Sequence, residues 1–556
     1  MRLSPLRSLV LLLAPVLAAC RGDGAPAGGS DIGGTLIAVS AREPATLMPP
    51  LVSGSEGGAV VSALFDKLAN LGPALETHGD SGFVPRLART WQWAPDSLSI
   101  AFQLDSTARW HDGQPVSAAD VRFTFRVYSS DSVGAEAASF LGNIDSVTTR
   151  DAHTAVFWFK RRMPQQFYDA TYHMYVLPSH LLDSVPLTRL AESAFGRAPV
   201  GTGRFRFVRW DPKQRIEIAS DTANYRGRAK LDRVVWTYVP DFGAATVKLF
   251  SGEADFFENI LPENLPQVAQ TPTLRVVNNR DLRYYFLGFN LRDPKNPAAP
   301  NPIFADLRVR RALSMAVDRQ TLVRNVLDSL GEVALAPAPR ALIPDTTAIK
   351  PLPYDVAAAK ALLDSAGWRD SDNDGVRDKD GIPLAFEMLS PSSSGPRRKY
   401  AVLLQEQYRA IGVKATPLDL PGPEFGARTE QKKFDTYLGG WSPIPGNVGM
   451  RQTWASTGSG NDPKYVSKAF DALLDSALTT FDRTQSRVYW GRAFQQIIDD
   501  APAVWLYEQH TPLAVHTRFV LPPLRPDGWY TDLAEWHLDP TKPRLDRDNI
   551  GLGAKR

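Results

Sequence analysis

Short stretches of alternating polarity take turns with stretches of helical periodicity along this whole chain, and that alternation confines the fold to α/β or α+β architecture with mixed sheets. Thr35 to Ser40 (TLIAVS), Leu98 to Leu104 (LSIAFQL), Val156 to Lys160, Gln214 to Ala219, Leu231 to Val239 and Arg283 to Asn290 (RYYFLGFN) read as strands. Residues 384–390, Val413 to Leu418 and Ala503 to Val515 read the same way. Helical spacing runs over Ala59 to Leu68, Phe242 to Ser251, Leu307 to Leu330, Val356 to Ala366, Arg398 to Ile411, Lys468 to Leu478 and Arg483 to Asp500. Ser117 and Asp120 have the spacing of a capping box ahead of VRFTFRVY, and Asp355 and Gly367 bracket the helix between them. The run DTYLGGWSPIPGNVG, Asp435 to Gly449, reads as a loop leaving a strand end. At 556 residues the chain exceeds what one core supports, so two or three domains are expected.

The N-terminus is built differently. Arg2 and Arg7 precede the apolar run Leu9 to Leu13, and small residues lead into Cys20, the pattern of a signal peptide over 1–19. The run is too short to span a bilayer, which takes about 20 apolar residues. Leu17 to Cys20 (LAAC) resembles the lipobox of bacterial lipoproteins, which implies cleavage before Cys20 and acyl chains on that residue. Several chains anchor stably where one does not. Cys20 is the only cysteine, so no disulfide is available. Residues 20–34, rich in Gly, Ala and Ser, read as a flexible stalk. Lys and Arg total 63 against 60 Asp and Glu, a balance that argues against a nucleic-acid partner.

Four segments together carry a resemblance: TLIAVSAREPATLMP from Thr35, the block from Val84 to Phe125 that contains RWHDGQPVSAAD, VGTGRFRFVRWD from Val200, and DLRVRRALSMAVDRQTLV from Asp306. In this order they resemble the family 5 extracellular solute-binding proteins, the peptide and nickel binding proteins of ABC importers. The resemblance implies an α/β, two-lobe clamshell of the periplasmic-binding-protein type (class II) with an extra inserted subdomain. Lobe I would comprise 35–66, 200–280 and 507–556, the insertion 67–199, and lobe II 281–506. It implies a monomeric, exported binding protein, tethered at Cys20, that passes a peptide or peptide-like solute to a permease and its ATPases.

Most motif residues read as scaffold. RWHDG is a turn in which His111 packs, and VGTG is a second turn with no phosphate-binding Lys after it. In peptide-binding members of the family, an Asp three residues after a Gly-Trp pair holds the ligand's ammonium. Here that position after Trp441 is Ile444, with Glu43 and Glu424 as the substitutes considered. The expected ligand-binding set is Trp441, Trp454 and Tyr285 as apolar walls, Ser442 and Asn447 as orienting groups, and Glu43. Separately, DSDNDGVRDKDG from Asp370 places Asp370, Asp372, Asp374 and Asp378 at positions 1, 3, 5 and 9 of a calcium-type loop, with Gly381 at position 12 in place of the bidentate Glu. A structural Ca²⁺ there is the one cofactor expected. No G-x-S-x-G or H-E-x-x-H occurs, so no enzyme is expected, although a secreted hydrolase stays a rival. Other rivals are a metal-chelate or haem binder using His173, His180, His510 and His516, and a receptor for a membrane sensor.

Overall fold

The structure is a computed structural model that describes residues 31–446 and 449–549. The expected signal peptide, Cys20 and Asn447 lie outside the described residues. No helix among the described residues is long and apolar enough to cross a membrane.

Two strands organise everything else. Leu274–Phe289 has 16 residues and Ala503–His516 has 14. At about 3.3 Å per residue the first extends roughly 50 Å, enough to run through both halves of the molecule. The two pair antiparallel from Leu274 opposite His516 to Gly288 opposite Ala503. Sequence periodicity marks only the apolar end of the first, Arg283 onward. Its upstream end, with Asn278, Asn279, Arg280 and Asp281, lacks an apolar face, and it is extended because its neighbour satisfies its backbone groups.

On one side of this pair the sheet continues through Thr436–Trp441, Ala385–Pro391 and Lys414–Leu420. On the other it continues through Phe256–Phe257, Thr35–Ser40, Arg233–Tyr238, Arg215–Ser220 and Phe205–Asp211. Helices cover both faces of each half. Leu36, Val60, Phe205 and Trp236 form one core of the first half, and Val39, Leu249 and Phe257 the other. In the second half, Val309, Leu313 and Tyr400 pack on one face, and Phe286, Trp454, Phe494 and Trp505 on the opposite one. The result is a two-lobe α/β clamshell with two strands as the connection. A four-stranded antiparallel sheet, Ala88–Trp93, Ser99–Leu104, Thr154–Phe159 and Ile144–Asp151 in spatial order, shares the first lobe's core through Phe102 and Phe157.

The pairing shifts register at two places, a single extra residue, Leu506, between the Tyr285–Tyr507 and Phe286–Trp505 partners, and a larger break. Between the Arg280–His510 and Tyr284–Glu508 partners, three residues of one strand face one of the other. Such a bulge bends and twists a sheet locally. It falls where the two lobes meet.

Local chemistry accounts for most elements. Asp120 Oδ2 accepts from the Ser117 amide at 2.8 Å, the reciprocal arm of the capping box. Asp355 accepts from the Ala358 amide at 2.8 Å. The expected helix Leu307 to Leu330 is two, Leu307–Met315 and Arg319–Val326, because Asp318 caps a new start by accepting from Thr321 N. The expected Ala59 to Leu68 helix runs instead over Gly54–Leu64, and Phe65 is already extended. The glycines of VGTG do not serve a left-handed turn. A Cβ on Gly201 or Gly203 would fall 1.8 or 2.2 Å from the carbonyl oxygens of Leu64 and Ala63, so they allow close backbone approach. His111 bridges the same strip, with Nδ1 accepting from Gly201 N at 3.1 Å and Nε2 donating to Gly203 O at 2.9 Å.

Asp435 to Gly449 departs furthest from expectation. Thr436–Trp441 is a strand, paired with Tyr284–Phe289. Its glycines leave room for aromatic rings of the neighbour: a Cβ on Gly439 would lie 2.8 Å from Phe286 Cζ, and one on Gly440 2.5 Å from Tyr285 Cδ1. Just beyond the end of the long strand Ala503–His516, buried Arg518 ties the strand Thr35–Ser40 to the C-terminal segment. It donates to Asp255 Oδ1 and Thr35 O at 3.0 Å each and to Asp548 Oδ2 at 2.5 Å.

Candidate functional site

A cleft of about 1550 Å³ lies between the lobes. The strands Thr35–Ser40, Arg233–Tyr238 and Phe256–Phe257 run parallel, and the cleft opens past their carboxyl ends, the usual ligand position in open α/β sheets. Arg42, Phe242 and Glu258 lie within four residues of the ends of these three strands and line the cavity. The facing wall comes from lobe II: Asn325 to Leu330, Ser393 to Pro396 with Lys399 at the start of the helix Gly395–Arg409, and Ser442 to Pro445. Asn279, Asp281, Arg283, Gln509 and Thr511 form the floor, at the bulge of the long strands.

The floor is polar and only partly satisfied, since Asn279 Oδ1 and Asp281 Oδ1 are buried without a hydrogen-bond partner. Asp281 Oδ2 accepts from Arg283 Nε at 2.9 Å and Thr511 Oγ1 at 2.7 Å. Next to it, Glu508 accepts from the Arg340 amide at 2.9 Å, and Arg340 Nε stands 3.0 Å from Glu332, which also meets His510 Nε2 at 3.3 Å. Burial, with Glu332 adding to it, pushes the Glu508 carboxyl up to about 8. On the lobe I wall, burial lifts the Glu258 carboxyl to about 7, with Glu56 pushing the same way.

At the mouth the lobes touch through side chains. Glu76 Oε2 lies 2.5 Å from Arg483 and 3.0 Å from Arg487. His78 Nε2 donates to Phe481 O at 2.7 Å, the Arg162 guanidinium lies 4.8 Å over the Phe481 ring, and Gln165 Nε2 donates to Gly446 O at 2.8 Å.

Of the residues expected to hold ligand, Ser442 lines the cleft. The others that the structure describes do not. Trp441 ends its strand opposite Tyr284, and its indole lies against Gly460. Trp454 is completely buried, donates to Tyr284 Oη at 2.9 Å and meets Trp505 edge-on, because it sits on the inward face of a short helix in the lobe II core. Tyr285 stacks on Tyr507 at 4.6 Å, with Arg397 5.2 Å over its ring. Glu43 accepts from Trp210 Nε1 at 2.6 Å and from the Lys213 amide at 3.1 Å, which fixes a hairpin turn. Glu424 pairs with Arg428 on an exposed helix. Gly and Pro around the aromatic cluster suggest a cleft; the glycines in fact make space for core rings. What sequence reading missed is Glu258, in DFFENI, where the usable signal is a carboxylate directly after an apolar strand.

In the acidic loop, Asp370, Asp372 and Asp374 bring oxygens within 4.8 Å of one another, all exposed. Asp378 stands apart: its Oδ2 accepts from Ser371 N at 3.0 Å and Ser371 Oγ at 2.6 Å. No histidine joins a comparable group among the described residues. His173 stacks on Phe140 at 4.5 Å, and burial drives it down to about 3, so it is neutral. His180 meets Asp112 at 2.8 Å, and His516 Nδ1 accepts from Arg518 N.

The model of the bacterial extracellular solute-binding proteins, family 5 (middle region), matches residues 82–462. The oligopeptide-binding protein AppA of Bacillus subtilis is 28% identical over 526 residues, which cover 91% of this chain and 93% of that one. Its structure with a nonapeptide superimposes with a TM-score of 0.70 at 26% identity, over 92% of this chain and 99% of that one. NikZ from Campylobacter jejuni, in complex with Ni(L-His), gives a TM-score of 0.72 at 25% identity, over 90% and 99%.

Proposed function

The chain belongs to the family 5 bacterial extracellular solute-binding proteins, and on that premise we propose that it captures peptides or peptide-like solutes between its lobes and delivers them to an ABC permease. The observation that carries the reading is the size and placement of the cleft. At about 1550 Å³, lined by both lobes, it exceeds the roughly 300–1,000 Å³ of a small-molecule pocket and suits a ligand of several residues. Solute contacting both walls favours the closed arrangement, and closure is the shape a permease reads. The protein binds without turnover, acts as a monomer, and is held at its membrane by acyl chains on Cys20, with 20–34 as a tether that raises its concentration near the permease.

Mass spectrometry of what elutes from the purified, denatured protein tests this. A ladder of intact peptides is expected. A single small molecule, a haem or nickel chelate, or cleaved products of an added peptide would overturn it. Labelled palmitate should enter the wild type and not a C20A variant. The acidic loop is proposed as a weak Ca²⁺ site on the strength of its three converging carboxylates. Calorimetry with CaCl₂ should give a signal that D372A abolishes.

A further inference from the structure

We propose that Glu258 forms a cation subsite on the lobe I wall, taking an ammonium or guanidinium group of the bound solute. This rests on the cleft being the solute site. Glu258 follows the strand Phe256–Phe257, which lies between Thr35–Ser40 and the long strand Ala503–His516, so its place at the carboxyl end of the sheet is fixed by backbone pairing on both sides. It is 7% exposed and lines the cleft. Trp529 Nε1 donates to Oε2 at 2.6 Å and Ser55 Oγ to Oε1 at 3.2 Å. Both donors are neutral. Among the described residues Glu258 makes no ion pair, and two hydrogen bonds use about half of the acceptor positions of a carboxylate.

Other buried carboxylates of this molecule are treated differently. Asp255 pairs with Arg518 and Arg547, Glu217 with Arg209 and Arg233, Asp527 with Arg525, and Asp548 with Arg518. Asp120 has no cation but receives four donors, the amides and hydroxyls of Ser117 and Ser179. Glu258 alone among these borders the large cavity without an ion pair or a full set of donors; Arg42, on the same wall, draws its carboxyl down from a distance but makes no ion pair with it. A desolvated charge in that condition is costly, and a ligand cation relieves the cost where a neutral group does not. Glu56, in the first turn of the helix Gly54–Leu64, lines the same wall and adds a second negative charge. The raised titration of Glu258 supports the assignment: near neutral pH the carboxyl sits close to its midpoint, and a cation arriving beside it drives the proton off.

The test uses the full protein and its E258Q variant, in which the Trp529 and Ser55 contacts have an isosteric acceptor. Each is mixed with a peptic digest of casein, or with the same digest acetylated on every amine, and peptides retained through gel filtration are identified by mass spectrometry. Wild type should retain peptides from the native digest, and only arginine-containing ones after acetylation. E258Q should retain at least about tenfold less. Equal retention of the same peptides by E258Q would overturn the subsite. If E258Q does not fold, E258D carries the test, with weakened but amine-dependent retention expected and unchanged retention overturning it. If wild type retains no peptide, calorimetry with spermidine separates the two readings. Binding that E258Q lacks would leave the subsite standing and sink the peptide reading; no binding would sink both.

Discussion

The lobes meet in two places that are built by opposite rules. At the seam, two long strands exchange backbone hydrogen bonds through both lobes, and their side chains from Tyr284 to Phe289 and from Ala503 to Glu508 are 0–9% exposed. At the mouth, the contact is made by side chains on loops and a helix end, with the Arg483 and Arg487 side chains 44% and 46% exposed. The seam cannot part without unpairing a sheet. The mouth can part at the expense of a few polar contacts, each worth about 0–1 kcal/mol, and of the packing of lobe II's Leu342 on the lobe I core. A molecule so arranged has one cheap motion, rotation about the seam, and the bulge at Asp281 to Arg283 places the bend beneath the cleft floor.

The sharpest way to break this contrast is at the seam's core. Phe286 is fully buried and packs against Tyr437, Trp454 and Trp505. F286A should cost about 3–5 kcal/mol in urea unfolding. A loss below 1 kcal/mol would show that the seam is not the rigid element.

The seam also holds a titrating group. Glu508 is raised from its ordinary range to about 8, so the folded state holds a proton that the unfolded chain releases near 4.5. Its contribution is therefore complete below about 4.5 and is lost as pH rises through about 8. E508Q, which has no proton to lose, should flatten the fall in stability over that window. It should be more stable than wild type at pH 9 by at least about 1.4 kcal/mol, the equivalent of one pKa unit. Glu258 and Asp169, raised to about 7 and 8 by burial, add to the slope that remains, and His173, held down to about 3, opposes it below about 6.5. An unchanged slope in E508Q would place the proton elsewhere.

The sequence made the scaffold readable where local chemistry is strong. Caps at Ser117 and Asp355, the apolar alternation of RYYFLGF and the helix Arg483–Asp500 were all visible in it, as was the α/β class. The site was far less visible. Trp454 and Tyr285 are aromatic residues near glycines, a pattern shared by clefts and cores, and only three-dimensional packing separates the two. Glu258 carries no local signature, because its importance comes from a strand two residues long in which Phe256 has partners 218 and 259 residues away in sequence, Ala38 and Val515. The mouth is invisible for the same reason, since Glu76 and Arg483 meet only once both lobes are folded.

The smallest expected effect on stability is at the mouth, and it should be the largest on shape. E76A removes the carboxylate shared by Arg483 and Arg487. Unfolding free energy should change by less than about 1 kcal/mol, as for other exposed pairs. Small-angle scattering of the same variant without added peptide should give a larger radius of gyration than wild type, because the lobes lose a contact that holds the mouth shut. About 1 M salt, where screening acts within ~3 Å, should move wild type toward the variant and leave E76A nearly unmoved. The hydrogen bonds of His78 and Gln165 to main-chain oxygens persist in both, so a partial opening is expected. If E76A instead destabilises the fold as much as F286A does, the two contacts are not of different kinds, and rotation about the seam loses its physical basis.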